Sequence, residues 1–186
     1  MVVVVAALLS FAATSLKPMQ DRNVELEKKQ SILKSIGVKV SREESEEAYD
    51  KYITKELVVH QNELKKGKSA FNINMAKEVN KPPKERDAPL YLAKKDGQNY
   101  FILPLRGKGL WGPIWGYIAL KQDATTVAGD LLDHKSETPG LGAEISTSEW
   151  QKQFEGKEIM GPGGNFRSMA VKKGNAQGEY EVDGIS

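Results

Sequence analysis

Apolar and polar positions along the chain change their rhythm several times. Residues 1–16 are almost wholly apolar: four consecutive valines, then Ala-Ala-Leu-Leu, with no charge before Lys17. No polar face interrupts this run, so it reads as part of a single membrane-anchoring helix, although it falls a few residues short of the about 20 needed for a full span. No basic stretch precedes it, as a signal peptide would require. From Asp21 to Ile36 the pattern is charged and helical, with Leu26, Leu33 and Ile36 on one side and Gly37 placed as a stop. This segment continues the anchor helix out into water. Ser41 and Glu44 match a capping box, opening a helix with Ala48, Tyr49, Tyr52 and Ile53 on one face.

The rhythm then turns to strands. Leu57-Val58-Val59 is a short one. Leu90–Ala93 and Tyr100–Leu103 flank Asp96-Gly97, a strong hairpin signal. Ile114–Leu120 and Thr126–Asp133 form a second pair around Gln122-Asp123, with Gly129 marking a bulge or the close approach of another backbone. Trp150–Phe154 is a helical turn introduced by Ser146-Thr147-Ser148, and strands are expected at residues 169–171 and 180–182. These elements predict an α+β fold: a mostly antiparallel, curved sheet flanked by helices and preceded by one N-terminal anchor helix. The division expected is residues 1–16 as a partial anchor, 17–86 as a helical region and linker, and 87–186 as the sheet domain.

Composition narrows the chemistry. The 186 residues carry 27 basic and 25 acidic side chains, so no affinity for nucleic acid is expected. The chain has no cysteine and only two histidines, His60 and His134. Disulfides, iron–sulfur clusters and a metal centre are therefore not expected. No catalytic nucleophile or base is assigned, and His134 is read as a structural neighbour of the loop that follows it. Gly161-Pro162-Gly163-Gly164 lacks the Gly-Lys-Ser/Thr ending of a phosphate loop.

That following loop, Glu137-Thr138-Pro139-Gly140-Leu141-Gly142, has the residues of a type II turn: Pro139 presets φ and Gly140 takes the positive φ required next. A carboxylate, a hydroxyl and several backbone N–H groups are expected to converge there on a small concavity, which suits a flat ligand with an anionic tail. Leu110 and Trp111 lie between glycines, an unusual setting for core packing, and a tryptophan can lie against a flat ring. Trp115 and Trp150 are expected in the core.

Several motifs in order carry a resemblance: residues 104–112 (Pro-Leu-Arg-Gly-Lys-Gly-Leu-Trp-Gly), residues 116–120, His134 with the loop at 137–142, and the closing Val182-Asp183-Gly184-Ile185-Ser186. Together they closely resemble the C-subunit family of the sodium-translocating NADH:quinone reductase, and less closely the G subunit of the Rnf electron-transport complex. The resemblance covers nearly the whole chain. It implies an electron-transfer flavoprotein subunit whose FMN is attached as a phosphodiester to the threonine of a Ser-Gly-Ala-Thr motif. Ser186 matches the serine, so the acceptor would lie three residues further on, and the sequence is expected to be trimmed at both ends.

The resemblance further implies flavin contacts from Thr138, Leu141 and a cation at Lys172, with Gly140 and Gly142 shaping the loop. Glu137 either anchors the loop or touches the ligand. It also implies a bacterial inner-membrane location, other subunits of the reductase as partners, and a domain on the periplasmic side. Lys17, Arg22, Lys28 and Lys29 after the anchor argue for the opposite side, but acidic residues are interspersed among them. A membrane-tethered module without redox activity is the remaining alternative.

Overall fold

A computed structural model describes residues 1–161 and 163–184. In chain order the elements are α1 (Val2–Ser35), α2 (Ser45–Tyr52), β1 (Ile53–His60), β2 (Glu63–Leu64), α3 (Met75–Glu78), β3 (Ala88–Lys95), β4 (Gln98–Lys108), β5 (Pro113–Leu120), β6 (Val127–His134), α4 (Ser148–Gln151), β7 (Ala170–Lys172) and β8 (Glu181–Asp183). Short 3-10 turns at Pro83–Glu85, Gly142–Ser146 and Lys152–Phe154 complete the path.

The anchor and the charged segment after it form one continuous helix of 34 residues. Its apolar N-terminal part is fully exposed and long enough to cross a membrane by length and composition. From Arg22, which pairs with Glu46 of α2, the helix meets the rest of the chain, and at its end Ile32, Leu33 and Ile36 are buried. Ile36 closes the helix with its N–H on the Leu33 carbonyl, and Gly37 reverses the chain at φ +71°. The capping box before α2 is present: the Ser41 N–H donates to Glu44 Oε2 at 3.0 Å and the Glu44 N–H to Ser41 Oγ at 3.3 Å.

Six strands form one antiparallel sheet in the order β2-β1-β3-β4-β5-β6. The β3–β4 hairpin turns on Asp96 and Gly97, both at positive φ, as a two-residue type I′ connection demands. The β5–β6 turn is tied by Asp123, whose carboxylate accepts the Thr125 and Thr126 N–H groups at 2.9 and 2.8 Å. Register slips between Ala119 and Leu120, and between Ile53 and Lys55, bend the strands. The pair β7–β8 departs from the antiparallel expectation, because it is a separate, parallel ribbon.

One core joins these parts. Ile32 and Leu33 of α1 and its C-cap Ile36 pack with Ala48 and Tyr49 of α2 over Tyr91, Ile102, Tyr117 and Ala119 of the sheet. Full burial of an isoleucine or leucine side chain such as Ile32, Leu33 or Ile102 contributes roughly 1.5–3 kcal/mol. Because β1 pairs directly with β3, the sheet begins inside the stretch expected to be helix and linker. The change near residue 86 is one of composition, not a break between folding units. A cluster around the buried Asp87 fastens the same junction: it pairs with Lys65 at 3.2 Å and with Lys68, both half-exposed, and meets His60 Nδ1 at 2.9 Å. Hydrogen bonds from Lys68 and Lys65 hold the Asp87 carboxyl down to about 2, against the opposing cost of burial.

Two features of Gly129 come from this packing. The slip in β5–β6 pairing falls beside it, and the Ser35 carbonyl of α1 lies where its side chain would be: a Cβ there would sit 2.6 Å from that oxygen. Both a bulge and a close backbone approach are present.

Candidate functional site

The paired strands β4 and β5 are joined by residues 109–112, closed tightly by the Gly109 N–H on the Gly112 carbonyl at 2.7 Å. The loop that follows β6 lies against this turn, since β6 ends beside the start of β5, with His134 opposite Ile114. Glu137 is the latch between them. Its Oε1 accepts the Trp111 N–H at 2.9 Å, and Ser136 Oγ donates to the Trp111 carbonyl at 3.0 Å.

Glycines make room for the latch. A Cβ at Gly109 would lie 2.3 Å from Glu137 Oε1, and one at Gly142 would lie 2.7 Å from Oε2. Only a residue without a side chain lets the carboxylate lie so deep. Glu137 is accordingly 9% exposed, and of its two expected roles the geometry supplies the anchor. His134 is the neighbour expected, with Nδ1 accepting the Glu137 N–H at 3.1 Å.

The turn at 138–141 forms as expected. Gly140 has φ +73°, and the Leu141 N–H donates to the Thr138 carbonyl at 3.0 Å. The chemistry of the concavity differs from the expectation in one respect. The Gly140 N–H is bound by Glu144 Oε1 at 2.9 Å, and the Leu141 and Ala143 N–H groups both reach the Thr138 carbonyl. These donors are used by the loop and the 3-10 turn after it, as the Glu137 carboxylate is used by Trp111, and do not point as a set into a pocket. What the loops present outward is apolar: Leu110 is 82% exposed, Trp111 67% and Leu141 53%. Thr138 is also exposed, and a Cβ on Gly140 would meet nothing within 4 Å. These exposed apolar side chains, on two latched loops, would gain burial against an apolar ligand or partner.

The remaining candidates lie elsewhere. Lys172 belongs to β7, and its ammonium pairs with Glu181 at 3.2 Å. Ser186 lies outside the described residues. The approach to it is well fastened: Val182 is buried, the Trp150 indole donates to the Asp183 carbonyl at 2.9 Å, and the Asp183 N–H donates to Gln153 Oε1 at 2.7 Å. Trp150 is thus a half-buried clamp, stacked edge-on with Phe154 at 5.0 Å, and not a core residue. Trp115 is also half-buried, on the wall of a groove of about 820 Å³ between residues 21–31 of α1 and the ends of β4 and β5. That groove shares no lining residue with either loop.

Sequence reasoning missed Ser136 and Gln151. The Gln151 amide donates at 2.9 Å to both the Leu132 and Ile145 carbonyls, tying β6 to the turn after the loop. Neither residue type nor spacing signals such a bridge, because its partners are backbone oxygens brought together by the fold.

Comparison with known proteins places the chain in a family. The family model of the FMN-binding domain matches residues 109–186, beginning at the turn that carries Leu110 and Trp111. The C subunit of the Na(+)-translocating NADH-quinone reductase of Haemophilus ducreyi is 30% identical, over 96% of this chain and 76% of the relative. That of Vibrio alginolyticus is 30% identical over 98% of this chain and 78% of the relative. The chain belongs to the C-subunit family of the Na(+)-translocating NADH-quinone reductase. The crystal structure of the C subunit from Parabacteroides distasonis superposes with a TM-score of 0.82 at 40% identity, covering 91% of this chain and 84% of that one. The shared fold covers the α+β sheet, and the loop pair at 109–112 and 137–142 falls within the stretch matched by the FMN-binding domain.

Proposed function

We propose that this chain is the electron-relaying flavoprotein subunit of a membrane complex that oxidises NADH, reduces quinone and moves sodium. The observation that carries the reading is the apolar face of Leu110, Trp111 and Leu141, gathered by the Glu137 latch at the start of the stretch matched by the FMN-binding domain. FMN supplies the redox chemistry when bound; the chain supplies shape and surroundings. Leu110, Trp111 and Leu141 exclude water from the ring, and the Thr138 hydroxyl is free to hydrogen-bond its polar edge. Gly140 and Gly142 hold the turn, with Glu137 acting from behind it. Lys172 contributes as one half of its pair with Glu181, so its charge would favour reduced, anionic flavin less than a free ammonium would.

Attachment is proposed through a phosphodiester to a threonine three residues beyond Ser186. The fastening of Asp183 to Trp150 and Gln153 supports this, because it brings the approach to that threonine against the elements that directly follow the flavin loop. α1 is proposed as a single membrane crossing, with the sheet domain on the periplasmic side of a bacterial inner membrane and the other reductase subunits as partners.

The test is intact-mass analysis of the natural full-length protein made with its flavin transferase. One FMN minus water should be added. A mass equal to that of the bare polypeptide, with no flavin absorbance, would overturn the reading. An Rnf-type role would be favoured only if the purified complex reduced ferredoxin and not quinone.

A further inference from the structure

The groove beside α1 continues the core along two surfaces that the chain itself does not bring together. On the sheet, Ile102 with Ala119, Pro104 with Tyr117 and Arg106 with Trp115 are facing pairs two residues apart, so all six side chains share one face. Ile102 and Ala119 are fully buried in the core, Tyr117 nearly so, and Arg106 and Trp115 only half. The same gradient runs along α1. Ser35, Ile32, Lys28 and Val24 follow one another at three- and four-residue steps, hence on one stripe, and pass from buried to 65% exposed at Val24. Helix and sheet therefore part toward the apolar run and leave a wedge between two core-facing surfaces.

Charge and level together define what fits there. Asp21 and Glu25 on the helical wall are held by Lys17 and by Arg22 and Lys29, and Glu27 is exposed. The Lys28 ammonium is used by the Phe71 carbonyl and lies over the Phe71 ring. The Arg106 guanidinium, in contrast, has no hydrogen bond or ion pair among the described residues, and a half-buried guanidinium calls for a carboxylate. The helical wall begins at Asp21, about 6 Å past Lys17 at roughly 1.5 Å per residue. A headgroup layer is about 5–8 Å deep. With the apolar run ending at Leu16, the wedge opens at the outer margin of the headgroups, beyond acyl chains and within reach of a polypeptide that leaves the bilayer beside α1.

We propose that this wedge is the docking groove for a neighbouring membrane subunit. Its occupant is the segment directly following one of that subunit's membrane helices, apolar against Val24 and Trp115 and carrying an aspartate or glutamate opposite Arg106. Docking completes the core face and gives the sheet a second tie to the complex besides α1. The inference rests on α1 as the anchor and on the proposed place of the chain in a membrane complex, and it uses no residue of the flavin face.

The test uses the purified reductase complex, containing the full-length chain with a benzoylphenylalanine photocrosslinker in place of Val24 or, as a control at the far end of the sheet, Gln98. Peptide mapping should place the crosslink from position 24 within about ten residues of the end of a membrane helix in another subunit, in a stretch with an acidic residue; position 98 should not reach it. Arg106→Glu should reduce retention of the chain in the complex several-fold in a salt wash, and exchanging the mapped acidic residue for arginine should restore it. A crosslink from position 24 only to lipid, to a second copy of the chain, to a segment remote from any membrane helix, or to nothing, in a complex that retains the chain and its FMN, would overturn the groove proposal alone. Retention of Arg106→Glu equal to the parent's would overturn the carboxylate contact. Absence of the chain from the purified complex would instead overturn its reading as a subunit, and the groove proposal with it.

Discussion

Glu137 and Trp111 are 26 positions apart, yet the carboxylate of one accepts the backbone N–H of the other at 2.9 Å. The bond is made from behind the apolar face, so it sets the position of that face without occupying it. Removing it should therefore disturb the flavin more than the fold. Glu137→Ala leaves the Trp111 N–H without its partner, at a cost of about 1–3 kcal/mol, and lets the two loops separate. Glu137→Gln keeps an acceptor oxygen and nearly the same volume. In the full-length flavinylated protein, Glu137→Ala should shift the flavin absorbance or midpoint potential and lower the melting temperature by several degrees, with Glu137→Gln lying close to the parent. Equal, unshifted flavin spectra in both variants would separate the latch from the site.

Gly140 tests the turn itself. At φ +73° a β-branched residue is strongly disfavoured, although space is open around its Cβ position. Gly140→Val should reshape the turn at a cost of about 1–3 kcal/mol. The far-ultraviolet circular dichroism should be preserved while the flavin spectrum or potential changes. Thr138→Val keeps the backbone carbonyl that accepts from Leu141 and Ala143, removing only the hydroxyl, so its effect should be smaller. Flavin properties unaltered in both would place the ring elsewhere.

A third prediction concerns the joint between anchor and sheet. In Gly129→Ala the new methyl would lie 2.6 Å from the Ser35 carbonyl, a backbone atom that cannot rotate aside. The end of α1 must move, loosening Ile32 and Leu33 in the core, so a loss of about 1–3 kcal/mol is expected. Thermal unfolding of the detergent-solubilised chain measures it. A melting temperature equal to the parent's would mean that α1 is not seated on β6 as described.

Asp130 gives the pH dependence. Both carboxylate oxygens are buried and have no hydrogen-bond partner among the described residues, and burial, reinforced by the charge of Glu155, pushes the group up to about 7. Folding therefore takes up a proton. The stability is greatest below pH 4, where the carboxyl is protonated whether folded or unfolded. It falls as pH rises between about 4 and 7 and is level above that, by up to about 4 kcal/mol. Asp130→Asn cannot ionise, so its advantage over the parent should grow across that same window. Denaturant unfolding at pH 5 and pH 8 checks the sign; a difference between the two proteins that stays constant with pH would show that Asp130 is solvated.

Much of this molecule is determined by local chemistry that the sequence carries openly. Asp96-Gly97 specifies a two-residue hairpin wherever it falls between apolar alternations. Ser41 and Glu44 exchange hydrogen bonds three residues apart at the entry to α2, and Pro139-Gly140 forms a turn from its own φ preferences. The apolar run and the helix after it share one backbone, so their continuity needed no tertiary information.

The tertiary structure decided whatever depends on which distant atoms meet. Glu137 became a latch because Gly109 and Gly142, from two different loops, leave room for its oxygens, and the N–H groups of its own loop found acceptors inside that loop. Trp115 and Trp150 have the composition of core residues, yet one lines a groove and the other clamps β8, since burial depends on what the fold lays over a side chain. Asp130 looks like an ordinary strand aspartate in sequence, and only the packing around β6 removed its water. β7 and β8 pair parallel for a similar reason: three-residue strands carry too little pattern to set direction, and contacts at Trp150 and Gln153 fix the path of the chain instead.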